Sequence, residues 1–156
     1  IGVMGFSAGG HLAASASNLF VDEITRPDFS ILIYPVITMH EKYTHQGTRK
    51  NLLGENQTKE MLRRYSLQKQ VTEHTPVTFL AHCTDDKTVP VENSLRYYQR
   101  LIHHNVPAEM HIYPTGGHGW GFSSEKFVGK GNDRFIYARS EFEKSLERWL
   151  ADIRTK

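Results

Sequence analysis

The chain has 156 residues, 19 basic against 17 acidic and a net charge of +2, enough for one domain with a real core and too little for two. Its near-balanced charge, without a Lys/Arg cluster, argues against nucleic-acid binding. One cysteine, Cys83, excludes an internal disulfide, and no apolar run approaches the roughly 18 residues of a membrane span.

Ile1-Gly2-Val3-Met4-Gly5-Phe6 reads as an apolar strand, and small residues from Gly9 to about Val21 read as a helix, with Leu12, Ala16 and Leu19-Phe20 at helical spacing. Because the chain opens inside a strand, it is read as the C-terminal part of a larger protein, with any export signal upstream. Phe29–Tyr34, closed by Pro35, suits a parallel strand buried on both faces. Residues 36–75 form a polar excursion, with a helical turn at Arg49–Leu53 ending on Gly54 and a helix capped by Thr58 running to Arg64. Pro76–Ala81 is the next strand and His82–Val89 the loop leaving it. Pro90 then opens a helix to about His104, with Leu95, Tyr98, Leu101 and Ile102 inward. Ala108–Tyr113 alternates like a less buried strand, and Thr115–Gly121 is a glycine-rich loop. A polar stretch to Asp133 leads to an amphipathic helix at about Tyr137–Ile153, whose stripe is Phe142, Leu146, Trp149, Leu150 and Ile153. The order β-α-β-excursion-β-α-β-α predicts a single α/β domain with a mainly parallel sheet and helices on both faces.

Gly5-Phe6-Ser7-Ala8-Gly9 sits where strand gives way to helix, the context in which Gly-x-Ser-x-Gly holds a nucleophilic serine. Gly5 and Gly9 are read as positions where a side chain would collide, Ser7 as a strained residue with its hydroxyl above the sheet, and the Ala8 N–H as an oxyanion donor. Loops leaving the C-terminal ends of parallel strands share one edge, so Ser7, Asp85 or Asp86, and His118 meet there in the order nucleophile, acid, base. A serine hydroxyl needs an imidazole to take its proton, and a carboxylate fixes the imidazole tautomer. Chemistry alone leaves both aspartates open. His11 is read as a packing residue, His82 as locally hydrogen-bonded, and Asp85 in the alternative as a turn or capping carboxylate.

Gly5-Phe6-Ser7-Ala8-Gly9-Gly10-His11-Leu12-Ala13, Asp86-Lys87-Thr88-Val89-Pro90-Val91-Glu92-Asn93-Ser94-Leu95 and His111-Ile112-Tyr113-Pro114-Thr115-Gly116-Gly117-His118-Gly119 resemble the acetyl-xylan-esterase/acetylesterase-like (lipase/esterase) branch of the α/β-hydrolases. The resemblance implies the C-terminal half of that fold, residues 1–156 forming one N-terminally truncated domain. It implies a serine carboxylesterase acting on small acyl esters or acetylated carbohydrate such as xylan, without cofactor or metal and in a secreted or periplasmic setting. Asp86 matches the family's Asp-x-x-Val-Pro spacing, which favours it over Asp85. Cys83 stands where glycine is usual and Trp120 where phenylalanine is common, changes that bear on the pocket. The resemblance also places the second oxyanion donor upstream of Ile1, so this chain alone is expected to hydrolyse esters poorly and to associate through its first strand. Two rivals are a prolyl-oligopeptidase-type peptidase domain and a non-catalytic hydrolase-like binding domain.

Overall fold

The computed structural model describes residues 1–121 and 133–154. Among these residues four strands, β1 (Gly2–Phe6), β2 (Phe29–Ile33), β3 (Val77–Cys83) and β4 (Ala108–Tyr113), pair in the order β1-β2-β3-β4, all parallel. The connecting helices are α1 (Ala8–Asn18), α2 (Gln46–Leu53), α3 (Lys59–Arg64) and α4 (Glu92–His103), and α5 (Asp133–Arg154) closes the domain. The polar stretch before Asp133 falls on residues 122–132, outside the described residues.

Side chains on a strand alternate between faces, so each apolar strand feeds two cores. Ile31, Ile33, Phe79, Ala81 and Cys83 point toward α5, where Ala138, Phe142, Leu146 and Trp149 recur at helical spacing. Leu32 and Leu80 point the other way, toward Ala13 and Ala14 of α1 and Tyr97 and Leu101 of α4. Near-continuous apolarity in β2 and β3, broken only by Ser30, Thr78 and His82, is thus the signature of strands covered on both faces. Strand β4 is half-buried along most of its length. Strand β3 runs two residues further than the sequence suggests, which puts His82 and Cys83 in the sheet.

Two helical faces differ from expectation. On α1, Leu12 is 74% exposed, and the buried face is Gly10, His11, Ala13, Ala14 and Ser17. Small residues let this helix lie close to the sheet. A Cβ on Gly10 would come within 2.6 Å of the Pro35 side chain. On α4, Leu95 and Ile102 are 38% and 50% exposed, and the inward face is Asn93, Ser94, Tyr97 and Leu101. That face is rotated by about one residue, roughly 100°, from the purely apolar stripe. Two polar residues on it carry buried hydrogen bonds. Asn93 Oδ1 accepts from the Ile37 and Thr38 N–H groups, and its amide donates to the Tyr43 and Pro90 carbonyls, fixing the start of the excursion. In the excursion α2 and α3 are capped by His45 and Thr58, and Gly54 takes the left-handed conformation (φ 70°) that stops α2. Among the described residues no helix is long and apolar enough to cross a membrane.

Candidate active site

The turn from β1 into α1 places Ser7 at φ 54°, ψ −122°, a conformation L-residues rarely adopt and one that costs on the order of 1–3 kcal/mol. Backbone bonds hold it there. The Ser7 N–H donates to the Ile33 carbonyl at 3.0 Å, and its carbonyl accepts from Gly10 and Val36 N–H groups, each at 3.0 Å. Strand β2 and the residues after Pro35 therefore clamp the turn from one side. The helix comes so close to β1 that a Cβ on Gly5 would lie 2.1 Å from the Gly9 carbonyl oxygen. At Gly9 the expectation of a clash is corrected, because a Cβ there meets nothing within 4 Å. The second glycine required by close approach is Gly10, against Pro35.

Ser7 occupies the N-cap position of α1, where a serine side chain ordinarily accepts from the helix's first N–H groups, yet it makes no such bond. Its Oγ lies 2.8 Å from Nε2 of His118 instead. Nδ1 of His118 lies 2.6 Å from Oδ2 of Asp86. A carboxylate only accepts, so Nδ1 carries the proton, Nε2 is left as an acceptor, and the Ser7 hydroxyl donates to it. The structure thus brings Ser7, His118 and Asp86 into one hydrogen-bonded chain. Ala8 opens α1 beside it, and its N–H is one of the helix-terminal donors with no acceptor inside the helix.

Asp86 is buried, and burial alone would raise its pKa. Hydrogen bonds from His118 and His82 and from the Val89 N–H outweigh that and hold the carboxyl well below the usual carboxylate range. Its Oδ1 accepts from the Thr88 and Val89 N–H groups, both at 2.9 Å. Asp85 points elsewhere. Its Oδ1 accepts from the Gly117 N–H at 2.6 Å, and its Oδ2 from Gly116 N–H and the Thr115 hydroxyl at 3.3 Å. The neighbouring aspartates divide the work: Asp86 meets the imidazole, while Asp85 clasps the loop that presents it. That loop needs left-handed backbone at Gly117 (φ 61°) and Gly119 (φ 86°), on either side of His118. Tyr34, itself at φ 36°, lays its ring 4.7 Å from the His118 ring and accepts the Gly121 N–H at its hydroxyl. Burial pushes the Tyr34 hydroxyl up to about 12, so it stays neutral.

The two departures from the family pattern lie in the α5-side core rather than at the reacting atoms. Cys83 is buried, its Sγ donates to the Thr115 carbonyl at 3.4 Å, and burial first, with Asp85 and Asp86 nearby, pushes its thiol up to about 12. Trp120 is buried among Tyr34, Tyr113 and Phe142. His11 donates from Nε2 to the Tyr65 carbonyl at 2.8 Å, tying α1 to the excursion, and burial lowers its pKa. An open cleft of about 460 Å³ runs beside His118, lined by Asp85, Lys87, Thr88, Gly117 and Phe135. Sequence reasoning missed the Asp85 clasp, the Asn93 anchor and the contact of His82 with Asp86. The first two join residues more than thirty positions apart, which only the fold brings together, whereas His82 and Asp86 are four apart and meet through the curl of the turn leaving β3.

Residues 1–144 match the prolyl oligopeptidase family, and the chain belongs to that family. Its architecture is that of the α/β-hydrolases. The chain is 41% identical over 128 residues to an acetylxylan esterase of Xylanibacter ruminicola, and 39% identical over 135 residues to endo-1,4-beta-xylanase B of Butyrivibrio fibrisolvens. Each alignment takes in 80% of this chain, which spans only 26% and 21% of those relatives. The crystal structure of an acetyl ester-xyloside bifunctional hydrolase from Caldicellulosiruptor lactoaceticus superposes with a TM-score of 0.75 at 40% identity, over 92% of this chain and 56% of that one.

Proposed function

We propose that the chain carries the nucleophile, base and acid of a serine esterase that removes acetyl groups from carbohydrate. The observation that carries this reading is the 2.8 Å and 2.6 Å chain from Ser7 Oγ through His118 to Asp86. Ser7 Oγ attacks the ester carbonyl carbon as His118 Nε2 takes the hydroxyl proton, and Asp86 stabilises the imidazolium. The carbonyl oxygen becomes an oxyanion facing the Ala8 N–H and the positive end of α1. His118 then returns the proton to the departing alcohol, leaving Ser7 acetylated. Water activated by the same imidazole releases acetate. The names of the relatives support an acetyl ester as substrate. The hydrogen-bonding lining of the cleft, with Asp85, Lys87 and Thr88, suits a hydroxyl-rich alcohol such as a sugar.

A peptidase reading is favoured by one observation, the name of the family itself. The two separate by turnover, in the full-length protein, of an aryl acetate and an acetylated xylo-oligosaccharide against a proline-containing peptide amide. We expect kcat/KM for the acetates to exceed that for the amide by at least about 10³-fold, the equivalent of roughly 4 kcal/mol in transition-state binding. Faster cleavage of the amide would replace the esterase reading.

A further inference from the structure

We infer that His82 is a positioning residue for Asp86, the second of two imidazoles that hold the acid; the inference rests on the triad reading above. His82 lies in β3 with its side chain fully buried. Its Nε2 is 2.9 Å from the Val89 carbonyl and 3.2 Å from Asp86 Oδ2, and its Nδ1 is 2.8 Å from the Ser94 hydroxyl. A carbonyl cannot donate, so Nε2 carries the ring proton and shares it between Val89 and Asp86. In the neutral ring Nδ1 then accepts from Ser94. One tautomer satisfies every partner.

Each oxygen of the Asp86 carboxylate therefore faces two N–H groups. Oδ1 has Thr88 and Val89, and Oδ2 has His118 and His82. The carboxylate can neither rotate nor favour another partner without losing a buried bond. His82 also closes the acid turn. It holds the Val89 carbonyl while Asp86 holds the Val89 N–H, so β3 and the residue ending the turn are locked together. Ser94, on the buried face of α4, fixes the ring from behind. Position is thereby transmitted from α4 through Ser94, His82 and Asp86 to His118 and Ser7.

The second imidazole also tunes the first contact. A donor on Oδ2 draws charge from the carboxylate and moderates its pull on the His118 Nδ1 proton. Without His82, Asp86 would bind that proton more tightly and favour the imidazolium, so the acid limb of kcat/KM would move to higher pH. The other titratable groups around the pair are Cys83 and Tyr34, both pushed up to about 12 and neutral, then Asp85 turned toward the His118 loop, and Lys87 and Glu92 at the surface end of the turn and of α4.

Two measurements test this. In the unmodified protein, nitrogen-detected imidazole spectra should show His82 as the Nε2–H tautomer, a readout that needs no activity. In His82→Phe the acid limb should rise by about half to one pH unit, with the His118 Nδ1 proton moving further downfield. His82→Gln, which restores an N–H donor, should return both toward the unmodified values. Should His82→Phe fail to fold, Ser94→Ala carries the test, because freeing Nδ1 should move the limb in the same direction by less. An Nδ1–H tautomer, or a folded His82→Phe or Ser94→Ala protein with an unmoved limb and unmoved proton, would overturn the role of His82. The triad reading fails separately, through unimpaired hydrolysis by a Ser7→Ala protein.

Discussion

In the full-length protein, replacing Ser7 by Ala is expected to lower ester hydrolysis by roughly 10⁴–10⁶-fold with little change in KM. The size follows from what the substitution removes. Oγ is the one atom of the turn aimed at His118 Nε2, and it makes no capping bond within α1 that could make it structural. The conformation of the turn does not depend on it. Main-chain bonds to Ile33, Gly10 and Val36 hold residue 7 in place, and alanine keeps all of them. The variant should therefore fold and bind substrate, with thermal unfolding close to that of the parent. Initial rates on an aryl acetate, with circular dichroism as the control for folding, check the prediction. A loss of less than about tenfold would leave His118 and Asp86 without a nucleophile to serve.

Asp86→Asn should cost about 10⁴-fold in kcat, for a reason visible in the geometry. Thr88 and Val89 present two N–H groups to one side of residue 86, and these would hold the amide oxygen there. The amide nitrogen would then face His118 Nδ1 and His82 Nε2, so that donors meet donors. His118 escapes by moving its proton to Nε2, where it no longer accepts from Ser7. Stability should respond as well. The Asp86 carboxyl is held below its unfolded value of 3.8, so its contribution is present above that value and is lost as the pH falls through the lower, folded one. Urea unfolding at neutral pH and near pH 3 should show the parent losing more stability on acidification than Asp86→Asn. Equal losses would mean that the carboxylate is not held as described.

The parts of this account legible in the sequence are those written in local pattern. Val3, Met4 and Phe6 before Ser7, and the small residues after it, announce a strand, a turn and a helix because sterics at Gly5 demand them. The apolar runs of β2 and β3 announce strands buried on both faces, and the order of Ser7, Asp86 and His118 follows from a parallel sheet whose loops share an edge. What stayed hidden is polar and buried. Asn93 and Ser94 look like surface residues to any hydrophobic periodicity, so the apolar pattern of α4 turns Leu95 and Ile102 inward. The Asn93 partners Ile37 and Thr38 come from a distant segment of the chain, and Ser94 reaches back to His82 in β3. Asp85 reads in the sequence as a turn or capping carboxylate, without the loop it holds. Its acceptors serve Gly116 and Gly117, about thirty positions away, which only the fold brings near. Gly9 shows the converse. It completes the motif, yet the close approach falls one residue later, on Gly10.

The central claim is that Ser7 is a nucleophile activated by His118. Its most direct test is covalent labelling with a fluorophosphonate, followed by digestion and mass spectrometry of the peptide containing residues 1–26. The account predicts a single phosphonyl adduct on Ser7, and labelling slowed at least about a hundredfold in a His118→Ala protein, the lower range of what a positioned general base supplies. Folded protein that stays unlabelled at Ser7, or a His118→Ala variant labelled as fast as the parent, would contradict it.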